Sequence, residues 1–121
     1  SSESVVSAAL SCISALTLRS CPNAGVFYDC GAPSVIIDAM KAFPKSLSVL
    51  RQASWAIRNM SVRNKAESQE FVFHGVEAIL RDAIKNHPVL AEDARAALRD
   101  LGLKVDFKEQ WTGKGGALTN E

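Results

Sequence analysis

The stretch GAPSVIIDAMKAFP, residues 31–44, returns 44 residues later as GVEAILRDAIKNHP, residues 75–88. Identical or similar residues stand at the matched positions Gly31/Gly75, Val35/Ile79, Ile36/Leu80, Asp38/Asp82, Ala39/Ala83, Met40/Ile84, Lys41/Lys85 and Pro44/Pro88, and upstream at Phe27/Phe71. A repeat of this length fixes the architecture before any single motif is considered, because each copy is one supersecondary unit. Stacked repeats serve as binding surfaces more often than as catalysts. The repeat therefore indicates a kind of function without indicating the partner.

Helical periodicity and turn residues divide the chain into seven predicted helices. Pro22 and the following Asn-Ala-Gly predict the end of the first helix, and Pro44 and Pro88 end two later ones. The predicted helices cover residues 3–20, 26–29, 33–43, 47–62, 68–74, 76–86 and 90–101. The apolar stripe of the first helix is assigned to Val6, Ala9, Ile13, Leu16 and Ser20. The polar residues 63–65 are predicted to form a surface loop.

The repeated unit is therefore a short, a medium and a long helix. One such unit cannot bury its apolar face alone, so units must stack and share a core. The first predicted helix corresponds to the long helix of a unit without its two companions. We expect residues 1–102 to be the C-terminal part of a longer solenoid, with apolar side chains exposed on the first helix.

Residues 103–121 leave the repeat pattern. Leu103, Val105 and Phe107 alternate with polar residues and Trp111 follows, so this stretch is expected to cover the outer face of the last unit. The glycines at 113, 115 and 116 predict that the remaining residues are disordered. Use of Trp111 as a free docking anchor is the alternative.

Charge and hydropathy argue against two classes of partner. The chain has 14 Lys and Arg against 13 Asp and Glu, and nucleic-acid binding needs a clustered basic excess. No run of 18 apolar residues is present, so we expect no membrane-spanning segment. The balanced charge also gives no support for binding to a membrane surface.

Three cysteines, Cys12, Cys21 and Cys30, are an odd number and do not predict a disulfide framework. Free thiols suit a reducing compartment, so a cytoplasmic or nuclear protein is expected. Zinc ligands usually come in close pairs, whereas these thiols are nine residues apart and His74 is distant. The sequence predicts no metal site and no cofactor, and the thiols are interpreted as buried or idle.

The long helix at residues 47–62 carries its apolar stripe at Leu50, Ala53, Ile57 and Met60. At about 100° per residue, Trp55 lies about 140–160° away from every member of that stripe. Arg51, Gln52 and Asn59 lie within about 60° of Trp55 and share its face. Trp55 is therefore predicted to point away from the core of its own unit.

Two full units with a glycine between the first two helices, and a third helix reading ASWAIRNM at residues 53–60, resemble armadillo repeats over residues 3–102. The resemblance implies an all-α fold, a right-handed superhelix whose third helices line a concave groove. In peptide-binding members a groove Trp is followed four residues later by an Asn that holds the backbone of an extended peptide, and Trp55 and Asn59 match that pair. The neighbouring units depart from it, since 41 residues away the Trp position holds Ser14 and Ala96.

The last helix adds Glu92, Asp93 and Asp100 on the corresponding face. An aromatic and acidic patch of this kind favours a peptide that carries Lys or Arg, while a solvated helix face is the plainer interpretation. For Trp55 the plainer alternative is packing on a neighbouring repeat, and for Asn59 it is an ordinary helix-end position. The residues proposed to bind a peptide are Arg51, Gln52, Trp55, Asn59, Asp93 and Asp100.

Sequence motifs of catalysis are missing: no phosphate-binding Gly-x4-Gly-Lys-Ser/Thr, no Gly-x-Ser-x-Gly and no His-Glu-x-x-His occurs in the chain. We therefore predict a non-enzymatic scaffold that binds a protein or an extended peptide, with no nucleic acid, membrane or small-molecule substrate. The alternative is a purely structural capping module of a longer armadillo solenoid whose binding site lies upstream.

Overall fold

The computed structural model describes residues 2–105, which contain seven α-helices, one 3-10 turn and no β-strand. The elements are α1 Glu3–Thr17, α2 Cys21–Asp29, α3 Ala32–Ala42, α4 Leu47–Ser61, α5 Gln69–Phe73, α6 Val76–Asn86, the 3-10 turn Pro88–Leu90 and α7 Ala91–Asp100. After the leading helix α1, the first unit runs short, medium, long, with 9, 11 and 15 residues. In the second unit α7 alone has 10 residues, one fewer than α6, and together with the 3-10 turn directly before it takes the place of the long helix. No helix within these residues is both long enough and apolar enough to cross a bilayer.

The boundary between α1 and α2 differs from the prediction. The first helix ends at Thr17, because Arg19 adopts a left-handed φ of 58° and Ser20 caps the next helix by accepting a hydrogen bond from the Asn23 amide. Pro22 was interpreted as a helix breaker, but it lies in the first turn of α2, where its missing N–H needs no partner. The residues expected to form a loop after it are therefore helical, and residues 21–29 form one helix.

Serines and glycines set the other helix ends. Ser46 accepts a hydrogen bond of 3.1 Å from the Val49 amide and begins α4. Gly31 and Gly75 precede α3 and α6 with φ of 81° and 86°, a left-handed conformation that L-residues adopt at a cost. The two matching glycines thus begin the medium helix of each unit with the same backbone conformation.

The three long helices lie side by side and parallel. Glu3 and Ser7 near the start of α1 hydrogen bond to Ser46 and Ser48 near the start of α4. Near the ends of the same two helices, the Asn59 amide nitrogen lies 2.9 Å from the Ser14 carbonyl oxygen. α7 packs against α4 in the same direction, and α3 and α6 pack on α4 and α7 respectively.

The core is continuous from α1 to α7. The predicted α4 stripe is buried, with exposures of 2% for Leu50 and 0% for Ala53, Ile57 and Met60. The Tyr28 hydroxyl joins α2 to α4 by donating to the Met60 carbonyl oxygen at 2.8 Å, and its ring lies edge-on to Phe71 of α5. Burial, followed in size by the charges of Glu67 and Glu70, raises the pKa of Tyr28 far above its ordinary value.

The prediction of which face of α1 is buried was wrong. The buried residues of α1 are Leu10, Ser14 and Thr17, while Ala9 and Leu16 are exposed. The interface is rotated by about 90° around the helix from the predicted stripe. Thr17 tolerates burial because its hydroxyl donates to the Ile13 carbonyl oxygen at 2.8 Å. The apolar exposure expected on α1 is present.

The predicted surface loop after α4 is exposed at Arg63 and Lys65 but not at Asn64, and the start of the tail packs on the core. Asn64, in the predicted surface loop, is only 6% exposed. Leu103 and Val105 are half-buried against the core, and an Arg81 guanidinium nitrogen donates to the Lys104 carbonyl oxygen at 2.6 Å. Phe107, Trp111 and the glycines at 113, 115 and 116 lie outside the described residues.

Candidate binding surface between α4 and α7

The α4–α7 surface consists of the side chains that α4 and α7 present beside their junction, away from the α4 core stripe. From α4 these are Arg51, Gln52, Trp55 and Arg58, and from α7 they are Glu92, Asp93, Arg95, Ala96, Arg99 and Asp100. Asn59 borders this surface on the α1 side of α4. Every residue predicted from sequence lies on these two parallel helices. The structure differs from the prediction in how those residues are paired.

Trp55 lies at the junction of the two helices and is 38% exposed. Its indole Nε1 donates a hydrogen bond of 3.1 Å to Asp93 Oδ1. That bond fixes one edge of the ring on α7 and leaves much of the remaining indole surface in contact with solvent. Trp55 is therefore neither a core residue nor a freely rotating one.

Asp93 is shared between two α4 side chains. While Oδ1 accepts from Trp55, Oδ2 lies 3.7 Å from the Nε of Arg51. The side chain is 26% exposed, so this carboxylate is only partly available to a ligand. Its negative charge is opposed by a cation of the same protein, which the sequence prediction of an acidic patch did not include.

Asp100, the last residue of α7, is also paired with an α4 side chain. Its Oδ2 lies 3.3 Å from the Nε of Arg58, and its carbonyl oxygen accepts a 2.7 Å hydrogen bond from Lys65 Nζ. A cation at the C-terminal end of a helix also interacts favourably with the helix dipole. Asp100 thus ties α7 to α4 and to the loop that follows α4.

Asn59 faces the other neighbour, α1. Its Nδ2 donates to the Ser14 carbonyl oxygen at 2.9 Å and lies 3.0 Å from the Ser14 hydroxyl. These two contacts leave Oδ1 as the part of the amide not used toward Ser14. The predicted Trp–Asn pair is therefore divided, with Trp55 directed to α7 and Asn59 to α1. Gln52 lies near Trp55 and is half-buried.

An open depression lies beside the junction, and its walls carry three guanidinium groups. It is lined by Arg58, Glu92, Asp93, Arg95, Ala96 and Arg99. Together with Arg51 and Asp100, the surface carries four arginines and three carboxylates, a nearly balanced set. Such a surface can hold a polypeptide of mixed charge but repels a strongly charged segment of either sign.

Sequence reasoning missed Arg58, Arg95 and Arg99. The sequence did contain a signal for Arg58 and Arg99. Arg58 lies about 60° from Trp55 around the helix, the same angle at which Gln52 was assigned to the Trp55 face. Arg99 occupies the equivalent position 41 residues later. The ion pairs themselves depend on the register of α7 against α4, which the repeat alone does not specify.

The potential metal ligands and the thiols of residues 2–105 are placed as follows. No group of three or more His, Cys, Asp or Glu side chains in that range is placed to hold a metal ion. Cys12, Cys21 and Cys30 are free and exposed, so of the two predicted alternatives, buried or idle thiols, burial is wrong. Cys21 lies 3.5 Å from the Arg63 carbonyl oxygen, a weak contact typical of a thiol.

Comparisons were made with protein-family models, curated proteins and solved structures, and none of the three finds a match to this chain.

Proposed function

We propose that the chain is a non-enzymatic scaffold of the armadillo type, a right-handed superhelix that binds an extended segment of another protein across the α4–α7 surface. The observation that carries this proposal is the position of Trp55. Its indole stays 38% exposed on a helix whose core stripe is at most 2% exposed. A large, rigid side chain held by one hydrogen bond at the edge of a depression is a favourable anchor for a partner.

The partner chemistry follows from the charges around the indole. A single Lys or Arg of the partner can pack on the exposed face of Trp55 and approach Glu92 and Asp93. The pair of Asp93 with Arg51 is long, at 3.7 Å, and exchange of a partly exposed pair costs little. Arg58 and Arg99 line the same depression and disfavour a polybasic segment. We therefore propose an extended peptide with one basic residue among neutral or acidic neighbours.

Asn59 has a secondary role in this proposal. Its Oδ1 can accept a hydrogen bond from a partner N–H while Nδ2 stays on Ser14. No cofactor, metal, nucleic acid or small-molecule substrate is part of the proposal. Three exposed free thiols are compatible with a reducing compartment, so we place the protein in the cytoplasm, the nucleus or both.

A second candidate function is architectural. The pairs Trp55–Asp93, Arg51–Asp93 and Arg58–Asp100 all join α4 to α7. A set of contacts between neighbouring repeats is what a capping module requires to close a longer solenoid. On this reading the exposed indole is a consequence of packing, and partner binding occurs elsewhere.

The two functions are separated by Trp55→Ala with Phe73→Ala as a matched control. Phe73 is an aromatic residue on α5 that is 84% exposed and does not line the depression. The test measures binding to an immobilised library of extended peptides that carry one Lys, together with thermal unfolding of each variant. A scaffold predicts peptides that bind the wild type and Phe73→Ala but lose at least about tenfold in affinity for Trp55→Ala, with both variants folded at the temperature of the binding assay.

The architectural function predicts the opposite pattern. Trp55→Ala would then lower the melting temperature by several degrees, about 1–2 kcal/mol in a domain of this size, without changing any peptide affinity. Peptides that bind all three proteins equally would also contradict the scaffold proposal at this surface.

A further inference from the structure

Two ion pairs of the same type join α4 to α7, and they differ in geometry. Arg58 Nε donates a hydrogen bond of 3.3 Å to Asp100 Oδ2. Seven residues earlier on both helices, Arg51 Nε lies 3.7 Å from Asp93 Oδ2, a distance too long for a hydrogen bond. Within residues 2–105 the Arg51 side chain has no hydrogen bond and no second ion pair. Arg51 is therefore held beside Asp93 by charge alone.

Trp55 positions the Asp93 carboxylate in a way that has no counterpart at the second pair. Its indole Nε1 donates to Asp93 Oδ1 at 3.1 Å. The residue seven positions after Trp55, at the end of α4 near Asp100, is Val62, which has no side-chain donor. Asp93 also lies in the first turn of α7, where the helix dipole stabilises a negative charge. The carboxylate is thus held in place without help from Arg51.

Asp93 Oδ2 is an oxygen with unused capacity to accept hydrogen bonds. In the described part of the chain only Oδ1 of this side chain accepts one, whereas an ionised carboxylate has about four acceptor positions. The side chain is 26% exposed, so a group from outside can reach it. A cation that forms a hydrogen bond to Oδ2 would interact with Asp93 more strongly than Arg51 does.

Arg51 stands where the basic residue of a partner would lie. In the proposed function, one Lys or Arg of an extended peptide packs on Trp55 and approaches Asp93. Two cations beside the same carboxylate repel each other, so Arg51 must move when that residue arrives. The Arg51 side chain is 37% exposed and has no hydrogen bond to break, so it can turn into solvent at little cost.

We infer, on the basis of the proposed function, that Arg51 is an internal competitor for the basic residue of the bound peptide. It neutralises Asp93 in the free chain and is displaced when a Lys or Arg of the partner donates a hydrogen bond to Asp93 Oδ2. The competition reduces the advantage of a basic over a neutral residue at this position. Binding therefore depends on the neighbouring residues of the peptide as well as on its one cation.

A double-mutant cycle between Arg51 and the peptide tests this inference. The probes are those peptides of the one-Lys library whose affinity falls in Trp55→Ala, each paired with the same peptide carrying norleucine in place of Lys. Norleucine keeps the aliphatic chain and removes the charge. Arg51→Gln is expected to strengthen binding of the Lys peptide about threefold to fivefold relative to its effect on the norleucine peptide, as measured by titration calorimetry.

Arg58→Gln is the matched control for the loss of a positive charge. Arg58 is on the same helix and is 38% exposed, but its carboxylate partner is Asp100. Arg58→Gln should change the affinities of the Lys and norleucine peptides by the same factor to within about twofold. Arg51→Ala repeats the cycle if far-ultraviolet circular dichroism shows that Arg51→Gln has lost helix content, since alanine removes the same charge and favours a helix.

The inference is overturned by equal ratios in Arg51→Gln and Arg58→Gln, because the net charge of the surface would then explain the effect. A ratio of one or less in Arg51→Gln also overturns it, since the cation of the peptide would then lie away from Arg51. Both results leave the proposed function supported, because the probes were chosen for their dependence on Trp55. Failure of the proposed function is a different result, the absence of any one-Lys peptide that depends on Trp55, and it overturns the inference together with its basis.

Discussion

Asp93 is the residue on which the contacts between α4 and α7 converge, because its two oxygens meet Trp55 and Arg51. Asp93→Ala removes both contacts. We expect a loss of about 1 kcal/mol in the free energy of unfolding, since partly exposed pairs contribute little and the indole N–H regains water. Urea denaturation measures the change.

The neighbouring Glu92 provides the control for Asp93, being an exposed carboxylate on the same helix turn. Glu92→Ala should leave the unfolding free energy within about 0.5 kcal/mol of the wild type. Equal losses in the two variants would show that charge alone, and not the contact to Trp55, accounts for the role of Asp93.

Tyr28 is the only tyrosine of the chain, so its ionisation can be followed directly. In the folded protein its pKa is raised by burial and then by Glu67 and Glu70, whereas the unfolded side chain ionises near 10.0. The stabilisation is therefore fully present below pH 10 and decreases as the pH rises above it, by up to about 1.4 kcal/mol per pH unit.

Urea titrations between neutral and alkaline pH, with phenolate absorbance as a second probe, test this expectation. The absorbance should rise together with unfolding and not before it. Tyr28→Phe loses the bond to the Met60 carbonyl oxygen but should show a flatter alkaline decline. A phenolate signal near pH 10 in protein that remains folded would contradict the burial of Tyr28.

At the scale of helices, glycine has opposite effects at two positions of the repeat. Gly75 begins α6 with φ of 86°, and an added Cβ would meet nothing within 4 Å. Gly75→Ala should therefore cost about 1–2 kcal/mol through backbone conformation alone. Gly25 lies inside α2 with equal space around it, so Gly25→Ala should stabilise by about 0.5–1 kcal/mol. Thermal unfolding of both variants measures the difference, and effects of the same sign would refute this account.

Sequence patterns predicted the helices well where one face of a helix is apolar. The α4 stripe of Leu50, Ala53, Ile57 and Met60 could be read directly, and with it the outward direction of Trp55. In α1 the periodicity could not choose the interface, because apolar residues lie on two faces and both fit a helical repeat. The α4 partner decides between them, and that is a tertiary effect.

The sequence predicted which residues lie on the candidate site, but it did not predict which of their side chains contact each other. Trp55 and Asp93 were both expected on it, yet their hydrogen bond depends on the axial offset of α7 against α4. Asn59 was expected to face a peptide, and its bond to Ser14 could be found only after α1 was positioned. A position 41 residues away marks a repeat neighbour, but it does not fix side-chain geometry to within an ångström.

At the scale of the whole molecule, α1 is attached to the core by one face, whereas α4 is packed between α1, α3 and α7. In a linear stack the free energy of local opening follows the number of covered faces. We therefore expect the amides of α1 to exchange hydrogen faster than those of α4, by a factor that native-state exchange mass spectrometry can resolve.

Leu10, 3% exposed on the α4-facing side, provides the decisive variant. Leu10→Ala should cost about 2–3 kcal/mol in the opening of α1 while exchange in α6 and α7 stays unchanged. Uniform acceleration along the chain would mean that the repeats open as one cooperative unit.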